Sequence, residues 1–420
     1  MAFTSSFSAQ FASGAGIVDL MADLGEALNV NPDLLFLGGG NPAQIPEFEQ
    51  LMASELAAIA ADEEQLHRLL GVYQSPRGSE TLISELCSYF QHLGWPVSEK
   101  NICLSSGSQS AFFMLFNLLA GPSECKQLGK ILLPMLPEYL GYAGQGLGNN
   151  MFVGCAPKLS RVGEHEFKYH CDFDAVEQAL RSEHICALCV SRPTNPSGNV
   201  HSLETMHRLG QLADSNAVPL IVDGAYGSPF PGIVYDEQAL AWQSNRVFVL
   251  SLSKLGLPGA RTGIVVADEQ LISKLSSVNT VLSLANGNLG PALFESLLKK
   301  RQLDRLCAET IQPFYAKKRE YMLSLIKANW VGLPYRVHRA QGAFFLWLWF
   351  ENLPISSAQL YERLKARSVL VMDGSHFFFA NASTSLHTEQ CIRLSYCADD
   401  EVLARAITII GDELKALYSA

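Results

Sequence analysis

Ile185-Cys-Ala-Leu-Cys-Val-Ser191, followed by an amphipathic segment from Leu203 to Ser215 and then by Val218-Pro-Leu-Ile-Val-Asp223, is a strand, a helix and a second strand in direct succession. The two apolar runs are rich in Ile, Val and Leu without alternation, the texture of strands buried on both faces. A helix of this length between two such strands makes the βαβ crossover of a parallel sheet.

The same alternation extends on both sides. Further strands are expected at Asn101–Ser105, Lys130–Met135, Met151–Cys155, Arg246–Leu252 and Thr262–Ala267, with helices such as Gln109–Ala120 and Asp174–Arg181 between them. After Pro291 the texture changes to a long helical stretch, broken near Pro313 and running to about Asn329. A strand pair (Tyr335–His338, Gly342–Phe350), a helix (Ser357–Arg367), two short strands (Val369–Met372, Cys391–Tyr396) and a final helix (Asp400–Tyr418) follow. The expected fold is α/β: a large, mainly parallel sheet with helices on both faces, plus a smaller α+β domain. The expected division is an N-terminal arm over 1–45, a large domain over 46–305 and a small C-terminal domain over 306–420.

Composition bounds the partners. With 420 residues and 48% hydrophobic content, the chain can bury a core without disulfides or metal. Its 31 Lys and Arg against 41 Asp and Glu give a net charge of −10, which disfavours a phosphate backbone unless basic residues cluster. The longest basic run, Lys299-Lys300-Arg301, reads as a solvated helix face, so no nucleic acid is expected. No Lys or Arg precedes Arg68, which argues against a targeting peptide. The longest apolar run, Ala343 to Phe350, is far short of the roughly 20 residues that span a bilayer. A cytoplasmic protein without membrane contact is expected.

Of the ten cysteines, Cys186 and Cys189 form a C-x-x-C, but inside a strand they face opposite sides and suit neither a bridge nor a metal. The histidines are scattered, and no metal site is expected. Gly144-Gln-Gly-Leu-Gly148 lacks the preceding strand and third glycine of a dinucleotide fingerprint.

Four features put polar groups where buried strands end, the place at which open α/β sheets bind ligands. Lys254 follows the Arg246–Leu252 strand in Ser251-Leu-Ser-Lys-Leu-Gly-Leu-Pro-Gly-Ala-Arg261; a lysine at an apolar sheet mouth has a depressed pKa, unless it only closes a surface turn. Asp223 ends a strand three residues before Tyr226, as a functional carboxylate or as a turn cap. Ser191-Arg-Pro-Thr-Asn-Pro-Ser-Gly198 is another strand end, with the stiffness of a tight turn. Ser105-Ser-Gly-Ser-Gln-Ser110 opens a helix whose free N–H groups suit a phosphate.

Together, in this order and spacing, these motifs resemble the aspartate-aminotransferase family, the fold-type I enzymes that use pyridoxal 5′-phosphate. Within it, Leu37–Pro46, Ser251–Arg261 and Gly342–Phe350 resemble the valine–pyruvate branch. The resemblance implies that Lys254 forms a Schiff base with the cofactor and moves a proton at the substrate α-carbon. It implies that Asp223 pairs with the protonated pyridine nitrogen, that Tyr226 and Asn195 hydrogen-bond the ring oxygen, and that Tyr139 stacks on the ring. Gly107, Ser108, Gln109, Ser251, Ser253 and Arg261 are implied at the phosphate, Arg261 as a bidentate fork. Arg393 is implied to grip the substrate α-carboxylate together with the backbone of Gly40. Tyr73 is implied to reach the phosphate of a neighbouring subunit in a homodimer with shared sites. Ile83 and Gln109 stand where the family commonly has an arginine and a small residue or threonine.

No Lys or Arg lies between Lys274 and Lys299, where dicarboxylate-specific relatives commonly carry a second arginine. An unpaired side-chain carboxylate there costs several kcal/mol, so a neutral amino acid such as valine or alanine is expected, with valine and pyruvate as the specific pair. Two rivals remain at this level. One is another activity on the same fold, such as a lyase or synthase. The other is a cofactor-binding regulator, which needs an N-terminal DNA-binding module; the absence of Lys and Arg from the first 67 residues opposes it.

Overall fold

A computed structural model describes residues 25, 31, 33–123, 127–236, 239–380 and 385–419. Most of the expected N-terminal arm therefore lies outside the described residues. The strands in chain order are β1 (Leu35–Phe36), β2 (Ile102–Ser105), β3 (Gly121–Pro122), β4 (Leu128–Leu133), β5 (Phe152–Gly154), β6 (Lys158–Val162), β7 (Glu166–His170), β8 (Ile185–Ser191), β9 (Leu220–Asp223), β10 (Arg246–Ser251), β11 (Gly263–Val266), β12 (Tyr335–His338), β13 (Phe345–Phe350), β14 (Val369–Leu370), β15 (Met372–Asp373) and β16 (Cys391–Ser395).

Eight of these form one sheet in the order β2-β11-β10-β9-β8-β4, with β3 and β5 both beside β4. The pairs β10–β9, β9–β8, β8–β4 and β4–β5 are parallel, whereas β11 runs antiparallel to both its neighbours. Side chains on one face of this sheet pack into a cluster with Phe112, Phe116 and Leu275. Those on the other join a larger core that continues into the second sheet. Burial on both faces explains the unbroken apolar runs of β8 and β10. Register places Ser191 beside Asp223, and Gly263 between Ser251 and Ser105, so the polar strand ends collect at one edge.

The second sheet has the order β15-β16-β13-β12-β7-β6. Its β6–β7 hairpin comes from the middle of the chain and joins through parallel pairing of β7 with β12. The expected 46–305 range assigns this hairpin to the large domain; by pairing, it extends the second sheet. Between Pro291 and Asn329 the helix breaks at Lys300–Gln302, where Arg301 has φ 53°, rather than at Pro313. Pro313 instead lies inside a helical run that continues over 303–329, directly after a π-helical turn at Leu306–Ile311, and does not end it. The stretch Val369–Met372 divides into β14 and β15. Strand β14 pairs with β1, and Leu37 N–H and the Leu37 carbonyl continue the contacts to Leu370 and Ser395. That anchoring delivers Gly38, Gly39 and Gly40 to the junction of the two sheets.

Candidate active site

A pocket of about 220 Å³ opens at the carboxyl edge of the large sheet, where the second sheet leans over it. It brings together Gly40, Ser108, Gln109, Tyr139, Asn195, Asp223, Tyr226, Ser251, Ser253, Lys254, Arg261 and Arg393, residues far apart in the chain. Gly107 lies behind Arg261 rather than in the lining. Tyr73 lies outside this pocket, 83% exposed, in a separate groove beside Ser79 and Asn288.

Lys254 follows β10 directly, and its Nζ donates to the Gly40 carbonyl at 2.6 Å. It lies 5.5 Å from the Tyr226 ring centre and 5.6 Å from that of Phe344. Burial, reinforced by the charges of Arg393 and Arg261, lowers its pKa to about 8 against the opposing pull of Asp223. Asp223 ends β9 and is buried. Its carboxylate accepts from the Tyr142 hydroxyl at 2.7 Å and from Ala225 N–H at 3.0 Å, while burial raises its pKa to about 6. A proton-bearing cation placed against Asp223 would keep it ionised.

The rim nearest β10 and β2 could receive an anion. Gly107, with φ 91°, caps the helix Ser108–Leu119, and no side chain occupies that N-terminus as a cap. A Cβ at Gly107 would collide with the Arg261 guanidinium, so the glycine lets the arginine lie along the helix start. Arg261 itself is exposed and left-handed, with φ 43° and ψ 55°. The Ser251 hydroxyl accepts from Ser253 N–H at 3.1 Å, which orients that turn.

At the other end, Arg393 of β16 is 3% exposed. It donates to Asn195 Oδ1 at 2.7 Å and to the Gly38 carbonyl at 2.6 Å, so these partners include no carboxylate, and its Nε has none. The guanidinium lies 4.1 Å from the Phe345 ring centre and 5.3 Å from that of Phe377. A buried cation held by neutral oxygens is a site for an anion supplied from outside.

Glu138, Tyr142, Gly38, Gly39 and Met372 also belong to the surroundings, as does Ser191 at the end of β8, though the sequence alone does not mark them as site residues. The signal for Tyr142 is its position three residues after Tyr139 in Pro137-Glu-Tyr-Leu-Gly-Tyr142. Gly38 is required by proximity, since a Cβ there would stand 2.6 Å from the Val371 carbonyl oxygen. No group of metal-ligating side chains occurs among the described residues. None of their helices is long and apolar enough to cross a membrane. Cys186 is half-buried and Cys189 fully buried, and both are free thiols.

Residues 44–410 match the family model of aminotransferase class I and II. The chain belongs to that family. It is 40% identical over 414 residues to the valine–pyruvate aminotransferase of Escherichia coli (strain K12), covering 98% of each chain. Among solved structures it is similar to a putative amino-acid aminotransferase from Psychrobacter arcticum 273-4, with TM-score 0.97, 39% identity and full coverage of both chains. It is also similar to the valine–pyruvate aminotransferase of Salmonella typhimurium LT2, with TM-score 0.87, 38% identity and coverage of 95% and 99%. The α/β architecture is that of the fold-type I aminotransferases, a family whose cofactor is pyridoxal 5′-phosphate. The residues present suit that group: an amine, a buried carboxylate and a helix start beside an arginine lie around one pocket.

Proposed function

We propose that this aminotransferase moves the α-amino group of a neutral amino acid, with valine the best donor, to pyruvate, yielding 2-oxoisovalerate and alanine. The observation that carries the substrate class is the pocket's inventory of cations. Among its lining residues these are Lys254, Arg261 and Arg393. Each has a task, as the reactive amine, the phosphate partner and the α-carboxylate partner. None is left for a second carboxylate on the side chain, whereas Leu140 and Met372 in the same lining suit an apolar one. The likeness to two enzymes that bear the valine–pyruvate name supports the same choice.

Bound pyridoxal 5′-phosphate supplies an electron sink for charge developing at the substrate α-carbon. Lys254 would hold the cofactor through Nζ, and its amine, with a pKa lowered to about 8, would serve as the base that takes the substrate α-proton and the acid that returns it. Asp223 holds the ring nitrogen's proton. Tyr226 and Asn195 would hydrogen-bond the ring oxygen, and Tyr139 would stack on the ring. Ser108, Gln109, Ser251, Ser253 and Arg261 hold the phosphate, with Gly107 leaving room for Arg261. Arg393, supported by Asn195, grips the α-carboxylate next to Gly40. The division into an arm (1–45), a large domain (46–305) and a small domain (306–420), a cytoplasmic location and a homodimer completed by Tyr73 belong to the same reading.

The test is to supply purified enzyme with valine, pyruvate and cofactor and to follow alanine. The expected result is alanine and 2-oxoisovalerate in equal amounts, and none from Lys254→Ala. Wild-type turnover by Lys254→Ala would remove the basis of the assignment.

A further inference from the structure

Glu138 is 1% exposed and lies outside the pocket lining. Its bonding partners are three donors. Ser191 N–H reaches Oε1 at 2.8 Å, while the Ser191 hydroxyl and Tyr139 N–H reach Oε2 at 2.6 and 3.1 Å. Burying a carboxyl group among neutral partners is unfavourable in itself, so what those bonds hold together matters.

They join the elements around the cofactor site. Ser191 is the last residue of β8 and pairs in register with Asp223 of β9. Tyr139 stands in the pocket wall. Three residues on, the Tyr142 hydroxyl donates to Asp223, and the rings of Tyr139 and Tyr142 meet edge to face at 5.3 Å. The backbone N–H of Glu138 donates to the Phe377 carbonyl at 3.1 Å, and the Phe377 ring packs on Arg393. A single side chain thus ties the segment 137–142 to the strand ends that carry the ring-binding groups.

We propose that Glu138 is a positioning residue for the cofactor ring: its carboxyl group clamps segment 137–142 to the end of β8, holding Tyr139 in the pocket wall and Tyr142 against Asp223. This rests on the reading of the pocket as a pyridoxal-phosphate site. Both carboxyl oxygens accept from a backbone N–H. A glutamine has one such oxygen, so either orientation of its amide turns an NH₂ group against one N–H and opens the clamp. Burial raises the Glu138 pKa to about 8, with the charge of Asp223 adding to the rise and the Ser191 and Tyr139 bonds opposing it.

The test compares wild type, Glu138→Gln and Glu138→Ala. Pyridoxal 5′-phosphate is titrated into each apoenzyme by visible absorption, and melting of the apoenzymes and kcat and KM for valine are measured. Loss of one buried N–H acceptor in Glu138→Gln predicts a cofactor Kd raised about fivefold or more and kcat lowered about tenfold or more. KM for valine stays within about twofold, because the bonds of Arg393 to Asn195 and Gly38 are untouched. Glu138→Ala loses at least as much; if it fails to fold, Glu138→Gln decides alone. Cofactor Kd and kcat both within about twofold of wild type in Glu138→Gln overturn the proposal. So does a rise in KM for valine with cofactor Kd and kcat unchanged. A wild-type apoenzyme that binds no pyridoxal 5′-phosphate overturns the cofactor reading, and the proposal with it.

Discussion

The role proposed for Lys254 depends on where it is buried. Its pKa, lowered to about 8 mainly by desolvation, makes the neutral amine available well below the ordinary value of 10.5. The sign is clear: the amine is protonated and unreactive below about 8 and becomes nucleophilic as pH rises through it. Covalent capture of pyridoxal 5′-phosphate by the apoenzyme should therefore accelerate with a midpoint near pH 8 in stopped-flow absorption; a midpoint near 10.5 would contradict the burial account. Arg393 makes a second residue-scale prediction. Arg393→Lys keeps the charge but not the fork that spans Asn195 and the Gly38 carbonyl, so KM for valine should rise about 10- to 100-fold with a smaller change in kcat. An unchanged KM would remove Arg393 from carboxylate binding. Lys254 and Asp223 were legible in the sequence because each puts a charge where an apolar strand ends, whereas Arg393 came only from the family resemblance; the fold places all three in one pocket. Glu138 was not legible, because a glutamate after Pro137 reads as an exposed turn, and only the fold brings Ser191 and Tyr139 around it.

Among the elements, the start of the helix Ser108–Leu119 is the sharpest case of local structure suited to the proposed ligand. Gly107 combines φ 91° with contact against Arg261. Gly107→Ala should destabilise the protein by about 1–3 kcal/mol through backbone strain. It should also raise the Kd for pyridoxal 5′-phosphate by displacing the Arg261 guanidinium, read by apoenzyme titration alongside apoenzyme melting. A lower melting temperature with unchanged Kd would mean that the glycine serves the fold alone. The parallel strands β8, β9 and β10 were legible from their unbroken Val, Ile and Leu runs. The β6–β7 hairpin was not. Lys158-Leu-Ser-Arg-Val162 is exposed along most of its length, so it carries neither an apolar run nor a buried alternate face, and its place follows from pairing of β7 with β12.

Over the whole molecule, the net charge of −10 surrounds a pocket whose own cations are Lys254, Arg261 and Arg393. Away from the pocket, Leu70, Val72, Tyr73, Leu284 and Leu289 are exposed, and the Asn288 amide bonds to the carbonyls of Arg68, Leu69 and Val72 hold the two segments side by side. Apolar groups gathered in this way suit burial against a second copy. Light scattering should give twice the chain mass of 46.0 kDa, and Tyr73→Ala should weaken cofactor binding without touching its own pocket. An active species of 46.0 kDa would contradict the shared site. How the chain divides at this scale was only partly legible, because the second sheet draws β6 and β7 from the middle of the sequence. The central claim is that three cations serve the amine, the phosphate and the α-carboxylate and leave none for a side-chain carboxylate. It is tested most directly by kcat/KM for valine, alanine, leucine, aspartate and glutamate with a fixed 2-oxo acid. Valine should exceed aspartate and glutamate by about 100-fold or more, as an unpaired buried carboxylate demands. A preference for aspartate or glutamate would contradict it.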